Sequence, residues 1–375
     1  MSPTWGIVEY RGRDGLLRLK ADWQRLLLAI PDHGPQHAYE TYLAYLDALS
    51  EPEGRFTCAA LTDGMQVRAI CPLEAKRQTV LGRQTRVLGL PWNLHDLHRD
   101  VVCPPDEAQA RLLPCLLRYL RQLPGGPSWL VLDRVLSRSA AWKCLQYLGR
   151  RAYCTDVAGE SDEFDCSRPF EDLAAGFSRK FRSNLRNAHR KLETLADVRF
   201  VSAGDAPGLR REFRSFLALE ASGWKDQAES GGAIRRKDEL SAFFRDLARL
   251  HGDVGQCEVN ALYSEGQCLA AQFCLRAGVE YAVLKIGYDE GYARMAPGQL
   301  LLEHTLTRCC AAAAVRRLTL ISHTEWARVW RPDVVAVHCA YVAVGAWSAR
   351  ALVPLLRLRL RHGPRLRRLL RRGAV

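Results

Sequence analysis

Residues 281–306 read YAVLKIGYDEGYARMAPGQLLLEHTL, a segment in which a predicted strand, a loop and a predicted helix follow one another. A strand is predicted over 279–288, with side chains that alternate between its two faces, and it ends before a Gly-containing loop. Residues that share one face of that strand are expected to be Tyr281, Val283, Lys285, Gly287 and Asp289, opposite Ala282, Leu284, Ile286 and Tyr288. A helix is expected to begin at Pro297-Gly298-Gln299, because proline suits the first turn of a helix.

Two further strands precede this one, at 257–263 and 268–276, with turns between the three, so an antiparallel meander is predicted. The first half of the chain repeats the order of strands, helix and strand, at 56–62, 66–73, 85–90, 106–122 and 128–133. We therefore predict an α/β (α+β) protein in two parts, 1–165 and 166–345, each a mixed, mostly antiparallel sheet flanked by helices. The acidic, polar segment 159–172 is interpreted as the connection between them.

A helix predicted over 177–193 has two different faces. Its apolar residues follow helical spacing, at Phe177, Phe181, Leu185, Ala188 and Leu192. Its other face is basic and comprises Arg179, Lys180, Arg182, Arg186, Arg190 and Lys191. Such a face is either simply solvated or binds an anionic acceptor such as a nucleotide-sugar, a lipid phosphate or tRNA.

The helix predicted over 206–222 places a carboxylate on an apolar face, which comprises Leu209, Phe213, Phe216, Glu220 and Trp224. Desolvation of Glu220 favours its neutral form and suits a general base; the alternative is a structural pair with an arginine. Lys225 follows directly, either to neutralise an anion or as a solvated side chain. The helix start at Pro297 offers free backbone N–H groups to an anion, or merely begins a helix.

The formal charge of +13 is unevenly distributed. No acidic residue follows Asp333, whereas nine arginines do, so the excess charge belongs to the tail at 346–375. Leucines alternate with these arginines, and the tail is expected either to lie on an anionic membrane surface or to be solvated. A general nucleic-acid binder is not indicated, because the body of the protein is nearly neutral.

Three segments together resemble the GNAT acyltransferase superfamily: YAVLKIGYDEGYARMAPGQLLLEHTL (281–306), LEASGWK (219–225) and FSRKFRSNLRNAHRKLE (177–193). The most similar group is the CelD-type branch, which is linked to polysaccharide biosynthesis, is similar to the FemAB transferases and often has tandem GNAT-like domains. The resemblance covers about 177–345, and the first half resembles a degenerate first domain in element order. That branch usually ends with a Tyr-Lys pair and a Trp, whereas SHTEWARVWRP (322–332) has Trp326 and Trp330 without that pair, which implies a different acceptor.

The resemblance implies transfer of an acyl group from acetyl-CoA or another acyl-CoA to an amine, with the pyrophosphate at the helix start formed by Arg294, Pro297, Gly298 and Gln299. Glu220 or Asp289 is the implied base, and Tyr288 the implied acid for the departing thiolate. The acceptor is expected to be an anionic small molecule or an envelope or polysaccharide precursor, bound by Trp224, Lys225, Lys285, Arg182 and Arg186.

Two alternatives remain open at this point. One is FemAB-like transfer from aminoacyl-tRNA, which the basic helix suits; the other is a non-catalytic accessory protein of an envelope or polysaccharide assembly. The N-terminus has no secretory leader pattern, and the thirteen scattered cysteines fit a reducing compartment, so we expect a cytoplasmic protein, either free or peripheral to the inner membrane face. No metal is expected, because His95, Asp96, His98 and Asp100 form a pattern of low specificity.

Overall fold

The strand and the helix predicted within residues 281–306 are both present, as Glu280–Tyr288 and Pro297–Ala311. The computed structural model describes residues 4–49, 56–91, 97–222, 234–345 and 351–360. These residues form one sheet of twelve strands. The strands are β1 (Gly6–Arg11), β2 (Phe56–Thr62), β3 (Val67–Val80), β4 (Arg83–Gly89), β5 (Trp129–Leu136), β6 (Tyr153–Asp165), β7 (Arg199–Ala203), β8 (Cys257–Ser264), β9 (Gln267–Ala277), β10 (Glu280–Tyr288), β11 (Arg317–Thr319) and β12 (Asp333–Ala343).

Helices pack on both faces of the sheet and bury their apolar sides against it. These helices are α1 (Gly12–Arg18), α2 (Lys20–Leu28), α3 (Tyr39–Ala48), α4 (Glu107–Gln122), α5 (Ala140–Cys144), α6 (Phe170–Ala175), α7 (Arg179–Leu192), α8 (Ala206–Glu220), α9 (Asp238–Asp253) and α10 (Pro297–Ala311). A further helix occupies 351–360. Among the described residues, no helix combines the length and the apolar character needed to cross a bilayer.

The order of the strands reveals an internal repeat. Across the sheet it runs β1-β2-β3-β4-β5-β12-β6-β11-β10-β9-β8-β7. Adding six to β1 through β5, counted inward from one edge, gives β7 through β11, counted inward from the other. The two central strands are exchanged: β12 pairs with β5 of the first half, and β6 pairs with β11 of the second. Each half therefore completes its part of the sheet with a strand from the other, and the division at 165/166 stays a prediction.

The interpretation of 159–172 as a connection is wrong for 159–165, the first half of that segment. Residues Tyr153–Asp165 form one strand of thirteen residues, and Asp333 to Val342 of β12 pair with it along nearly its whole length. The segment is rich in Asp, Glu, Ser and Gly, which are depleted in strands. A central position in the sheet overrides that propensity, because strands on both sides satisfy its backbone groups.

The predicted division of β10 into two faces is also wrong beyond Val283. A β-bulge between Val283 and Lys285 shifts the register against β9, and one extra residue reverses the alternation. Tyr281 and Val283 pack towards α7 and α10, and beyond the bulge Ile286 takes that face. Lys285 lies opposite Phe273, whose side chain belongs to the core beneath α8 and α9.

Candidate functional site

The parallel strands β10 and β11 separate soon after they pair. Glu280, Tyr281 and Ala282 align with Arg317, Leu318 and Thr319, where β11 ends, whereas β10 continues to Tyr288. A cavity of about 550 Å³ opens in the resulting gap. It lies among the second half of β10, the start of α10 and the segment 320–326, so the fold itself creates a cleft between two strands.

The start of α10 forms one wall of this cavity, through Ala296, Pro297, Gly298 and Gln299. Ala296 has φ +48°, and among the described residues no side chain caps the helix. The corresponding helix of the first half differs, because the Asp106 carboxylate caps α4 by accepting the Ala108 N–H at 2.8 Å. The start of α10 therefore lacks the capping carboxylate that the start of α4 has. An anionic ligand can bind at such a helix start, because no carboxylate occupies the place.

Two side chains hold the first turn of α10 against its surroundings. The Trp330 indole N–H donates a hydrogen bond to the Gln299 amide oxygen, and Trp330 packs edge-on against Phe177 and Phe181. Tyr288 lies beside Gly298, at 3.8 Å from the position that a Cβ on Gly298 would take. Tyr288 is 38% exposed, so its ring borders the cavity and remains open to solvent.

The opposite wall, formed by Leu320, Ser322, Thr324 and Trp326, depends on a buried carboxylate. Asp162 of β6 is fully buried; its Oδ1 lies 2.6 Å from His323 Nδ1, and its Oδ2 accepts the Thr324 N–H at 3.2 Å. Asp162 therefore fixes the segment that faces β10. It was missed from sequence because it lies in the segment interpreted as a connection, and the acidic SDEFD run was its only signal.

Glu220, a predicted catalytic residue, ends α8 and is buried. Its Oε2 accepts the Ile234 N–H at 2.9 Å, and its backbone packs against Gly287. The apolar stripe predicted for α8 is confirmed, since Leu209, Phe213 and Phe216 are buried with it. Gly287 separates Glu220, on the α8 face of the sheet, from the α10 face that carries Tyr288.

The remaining predicted residues of the β10–α10 region have separate positions. Lys285 lines the cavity. Asp289 accepts the Gly291 N–H at 2.9 Å and a hydrogen bond from the Gln267 amide at 2.8 Å, so both of its carboxylate oxygens already have donors. The Arg294 side chain is exposed, and its carbonyl accepts a hydrogen bond from Lys191 Nζ of α7 at 3.0 Å.

The helix α7 lies against α10 through the predicted apolar stripe, which is confirmed: Phe177, Phe181, Leu185, Ala188 and Leu192 are buried. Its basic side chains are exposed. Arg182 donates to the carbonyls of Ala174 and Ala175 at the end of α6, and Arg186 projects from the same helix. Trp224 and Lys225 lie outside the described residues, as do His95 and Asp96; the described residues contain no group of three or more His, Cys, Asp or Glu able to hold a metal ion.

A buried polar network connects β8, β10 and α10 in the second half, and it was not predicted from the sequence. The Tyr281 hydroxyl donates to Glu258 at 2.5 Å and accepts from the Asn260 amide at 2.8 Å, and Arg308 donates to Glu258 at 3.0 Å. Burial raises the pKa of the Tyr281 phenol well above its usual value, so it remains a donor. The polar residues at alternate positions of β8 were the available signal.

Comparisons with known proteins give a family match for part of the chain and similar folds for most of it. Residues 179–326 match the family described as an acetyltransferase (GNAT) domain. No curated protein matches the chain. Among solved structures, the chain is similar to FemX, with a TM-score of 0.58 and 11% identity over 86% of this chain and 96% of that one. It is also similar to a protein of unknown function from Bacteroides thetaiotaomicron VPI-5482, with a TM-score of 0.56 and 15% identity over 86% and 97% of the two chains.

A third similar structure is the C-terminal domain of a putative lysylphosphatidylglycerol synthetase from Agrobacterium fabrum, with a TM-score of 0.51 and 10% identity over 91% of this chain and 97% of that domain. At such identities these likenesses describe the fold. Residues 179–326 thus resemble a GNAT acetyltransferase domain, and the fold of the chain as a whole is similar to that of FemX. The predicted α/β fold with tandem GNAT-like parts is confirmed, and the CelD-type branch stays a prediction.

Proposed function

We propose that the protein transfers an acyl group from an acyl-CoA, with acetyl-CoA as the simplest donor, to the amine of an anionic small molecule or of an envelope or polysaccharide precursor. The observation that supports this function is the cavity between β10 and the segment 320–326, bounded by a helix start that no side chain of the described residues caps. A coenzyme A donor carries a pyrophosphate for such a helix start and a thioester that the gap between the strands can admit.

The residues fit this donor on electrostatic grounds. The Gly298 N–H and the positive end of the α10 dipole stabilise a pyrophosphate, and the exposed Arg294 guanidinium adds a positive charge. The cavity walls are mainly aliphatic, through Val283, Ile286 and Leu320, which excludes water from a bound thioester.

Each candidate side chain has a proposed task. Glu220 takes the proton from the attacking amine, and backbone N–H groups of β10 stabilise the oxyanion. Tyr288 gives a proton to the departing thiolate. Lys285, with Trp224 and Lys225, contacts the acceptor. Asp289 is the weaker candidate for the base, because its two oxygens already accept hydrogen bonds.

Isothermal titration with acetyl-CoA and longer acyl-CoAs tests donor binding, with a matched pair of variants at one residue. A Cβ on Gly298 meets only ordinary van der Waals distances, so Gly298→Glu and Gly298→Gln are both expected to fold. The glutamate repels the pyrophosphate and should abolish binding, whereas the glutamine should retain most of it. Equal binding by both variants, or no binding by the unmodified protein, contradicts the proposal.

The basic face of α7 supports a second candidate function, transfer from aminoacyl-tRNA. Arg182 and Arg186 are exposed on that face, one helical turn apart. This candidate predicts activity that RNase removes, and tRNA binding that weakens steeply with salt and with Arg182→Gln/Arg186→Gln. A protein that binds neither acyl-CoA nor tRNA would instead be a non-catalytic accessory protein.

We also propose that the C-terminal tail lies on an anionic membrane surface at the cytoplasmic side. In the helix at 351–360, Val353 and Leu356 are buried against the sheet, whereas Leu352, Leu355 and Leu358 are 37%, 54% and 58% exposed. Arginines flank these leucines in sequence, a combination that suits an anionic interface. Vesicles containing phosphatidylglycerol should retain the protein, and deletion of 361–375 should release it; equal retention by neutral vesicles contradicts this proposal.

A further inference from the structure

The first half of the molecule contains a cavity of about 830 Å³ between α4 and the sheet, here called the α4 cavity. Ala59 and Ala75 of the sheet are too small to fill the space beneath the helix. Leu73, Leu88, Leu116 and Leu120 complete an aliphatic lining. A pocket of this size with such a lining falls within the range of small-molecule sites.

The α4 cavity differs in position from the proposed donor site. It lies under the second half of α4 and is closed by the segment 124–127, whereas the donor cavity lies at the first turn of α10. The first turn of α4 is capped by Asp106 and is not part of the α4 cavity. The α4 cavity is therefore a separate site rather than the counterpart of the donor cavity in the first half.

Two arginines face each other directly at one end of the α4 cavity. Arg77 of β3 and Arg86 of β4 are register partners in the antiparallel pair, and both are exposed. Like charges at directly opposed positions destabilise a sheet. Among the described residues neither forms an ion pair, although Arg86 donates a hydrogen bond to the Gly125 carbonyl at 3.5 Å.

The other charged groups that line the α4 cavity form ion pairs. Lys76 forms an ion pair with Glu74 at 2.9 Å, and Arg11 forms one with Glu9 at 2.9 Å. Glu9 also accepts a hydrogen bond from the Tyr119 hydroxyl at 2.9 Å. The uncompensated positive charge is therefore concentrated on Arg77 and Arg86, beside an aliphatic cavity.

We propose that the α4 cavity binds an aliphatic molecule with a single anionic head group. The hydrocarbon chain of this ligand lies between α4 and the aliphatic face of β3 and β4. Its head group lies between the guanidinium groups of Arg77 and Arg86. Arginine suits carboxylate and phosphate alike, because both accept parallel hydrogen bonds from its planar fork. The bound anion removes the cross-strand repulsion that the free protein carries.

Isothermal titration with four molecules of the same chain length tests this site: myristate, tetradecyl phosphate, tetradecanol and tetradecyltrimethylammonium. One equivalent of each anion should bind, the alcohol at least tenfold more weakly, and the cation not at all. A preference for myristate identifies a fatty-acid site, and a preference for the phosphate identifies a phospholipid-type head group. Saturable binding of none of the four, or equal binding of all four, overturns the proposal.

Three variants locate the site. Arg77→Gln/Arg86→Gln should reduce the affinity for both anions at least tenfold, to the level of the alcohol. Ala75→Phe fills the α4 cavity and should remove binding of every molecule. Arg83→Gln, an exposed arginine of β4 outside the cavity, is the matched control and should bind as the unmodified protein does. Unchanged myristate affinity in the double variant contradicts the assignment, even if Ala75→Phe does not fold.

Thermal unfolding gives an independent measurement. Removing one of two opposed positive charges should raise the Tm of the ligand-free protein in Arg77→Gln, although the same change weakens ligand binding. Myristate should then raise the Tm of the unmodified protein more than that of the variant. If Arg77→Gln lowers the Tm of the free protein, Arg77 has a structural role in the sheet and the proposal fails.

Discussion

Gly287 of β10 lies directly against Glu220 of α8: a Cβ on Gly287 would stand 3.4 Å from both the backbone nitrogen and the Cα of Glu220. The absence of a side chain at 287 thus lets the end of α8 approach the strand that borders the donor cavity. Replacement by valine should push α8 away from β10 and reduce transfer activity, while alanine should be tolerated nearly unchanged. Thermal unfolding and transfer rates of the two variants measure this.

Replacement of Glu220 tests its role as base. Glu220→Gln keeps an oxygen for the Ile234 N–H, so the fold should persist, while acyl transfer to an amine should fall about 100-fold or more. Glu220→Ala should also lose stability, by about 1–3 kcal/mol, because the Ile234 N–H loses its acceptor. If Glu220→Gln turns over normally, the carboxylate is structural, and Asp289→Asn becomes the variant to measure.

The buried network around Tyr281 should contribute measurably to stability. Tyr281→Phe removes the donor to Glu258 and the acceptor for Asn260, so the free energy of unfolding should fall by about 1–3 kcal/mol. Denaturant unfolding measures the change. The matched control is Tyr292→Phe, which removes a hydroxyl that donates to Gln267 at an exposed position and should change stability by less than about 0.5 kcal/mol. Similar losses in both variants would show that burial of the network contributes little.

Stability should depend on pH through His251. Burial lowers the pKa of His251 to about 4, against about 6.5 in an unfolded chain. Above pH about 6.5 the imidazole is neutral in both states and contributes no pH dependence. Between pH about 6.5 and about 4 the unfolded chain binds the proton and the folded chain does not, so the free energy of unfolding falls as pH falls, by up to about 1.4 kcal/mol per unit.

His251→Gln removes this contribution while keeping a donor for the Thr41 hydroxyl oxygen, which lies 3.0 Å from His251 Nε2. The variant should therefore lose less stability than the unmodified protein between pH 6.5 and pH 4. Burial also lowers the pKa of His98, to about 3, with Arg134 and Arg138 as further causes, so part of the slope should remain. If the free energy of unfolding changes with pH equally in His251→Gln and in the unmodified protein, groups other than His251 cause the pH dependence.

The exchange of β6 and β12 predicts how the chain tolerates division. Fragments 1–165 and 166–375 should each fail to fold alone, because β5 lacks β12 in the first and β11 lacks β6 in the second. Co-expressed, they should form a stable heterodimer with the circular dichroism spectrum of the intact chain. A cooperative thermal transition in either isolated fragment would show that its half folds as an independent domain.

Local patterns in the sequence were sufficient for the secondary structure near the site. The apolar spacing of α7 and α8 predicted which faces are buried, since a helix with one apolar stripe must bury it. Proline and glycine at 297 and 298 predicted the start of α10, because their backbone preferences act within a single turn. Residues 281–306, with the two upstream motifs at 177–193 and 219–225, also carried the resemblance to the GNAT superfamily.

Only the tertiary structure determined how these elements meet. The bulge after Val283 moved Lys285 to the other face of β10, and nothing in the alternation of the strand indicates an extra residue. Asp162 reached the cavity wall because β6 lies beside β11, a pairing between residues far apart in the chain. The opposed Arg77 and Arg86 and the cavity beside them likewise depend on strand register and on the space beneath α4. Local spacing sets which residues form and bury an element, whereas sites are built from long-range pairing, which sequence patterns over short windows do not encode.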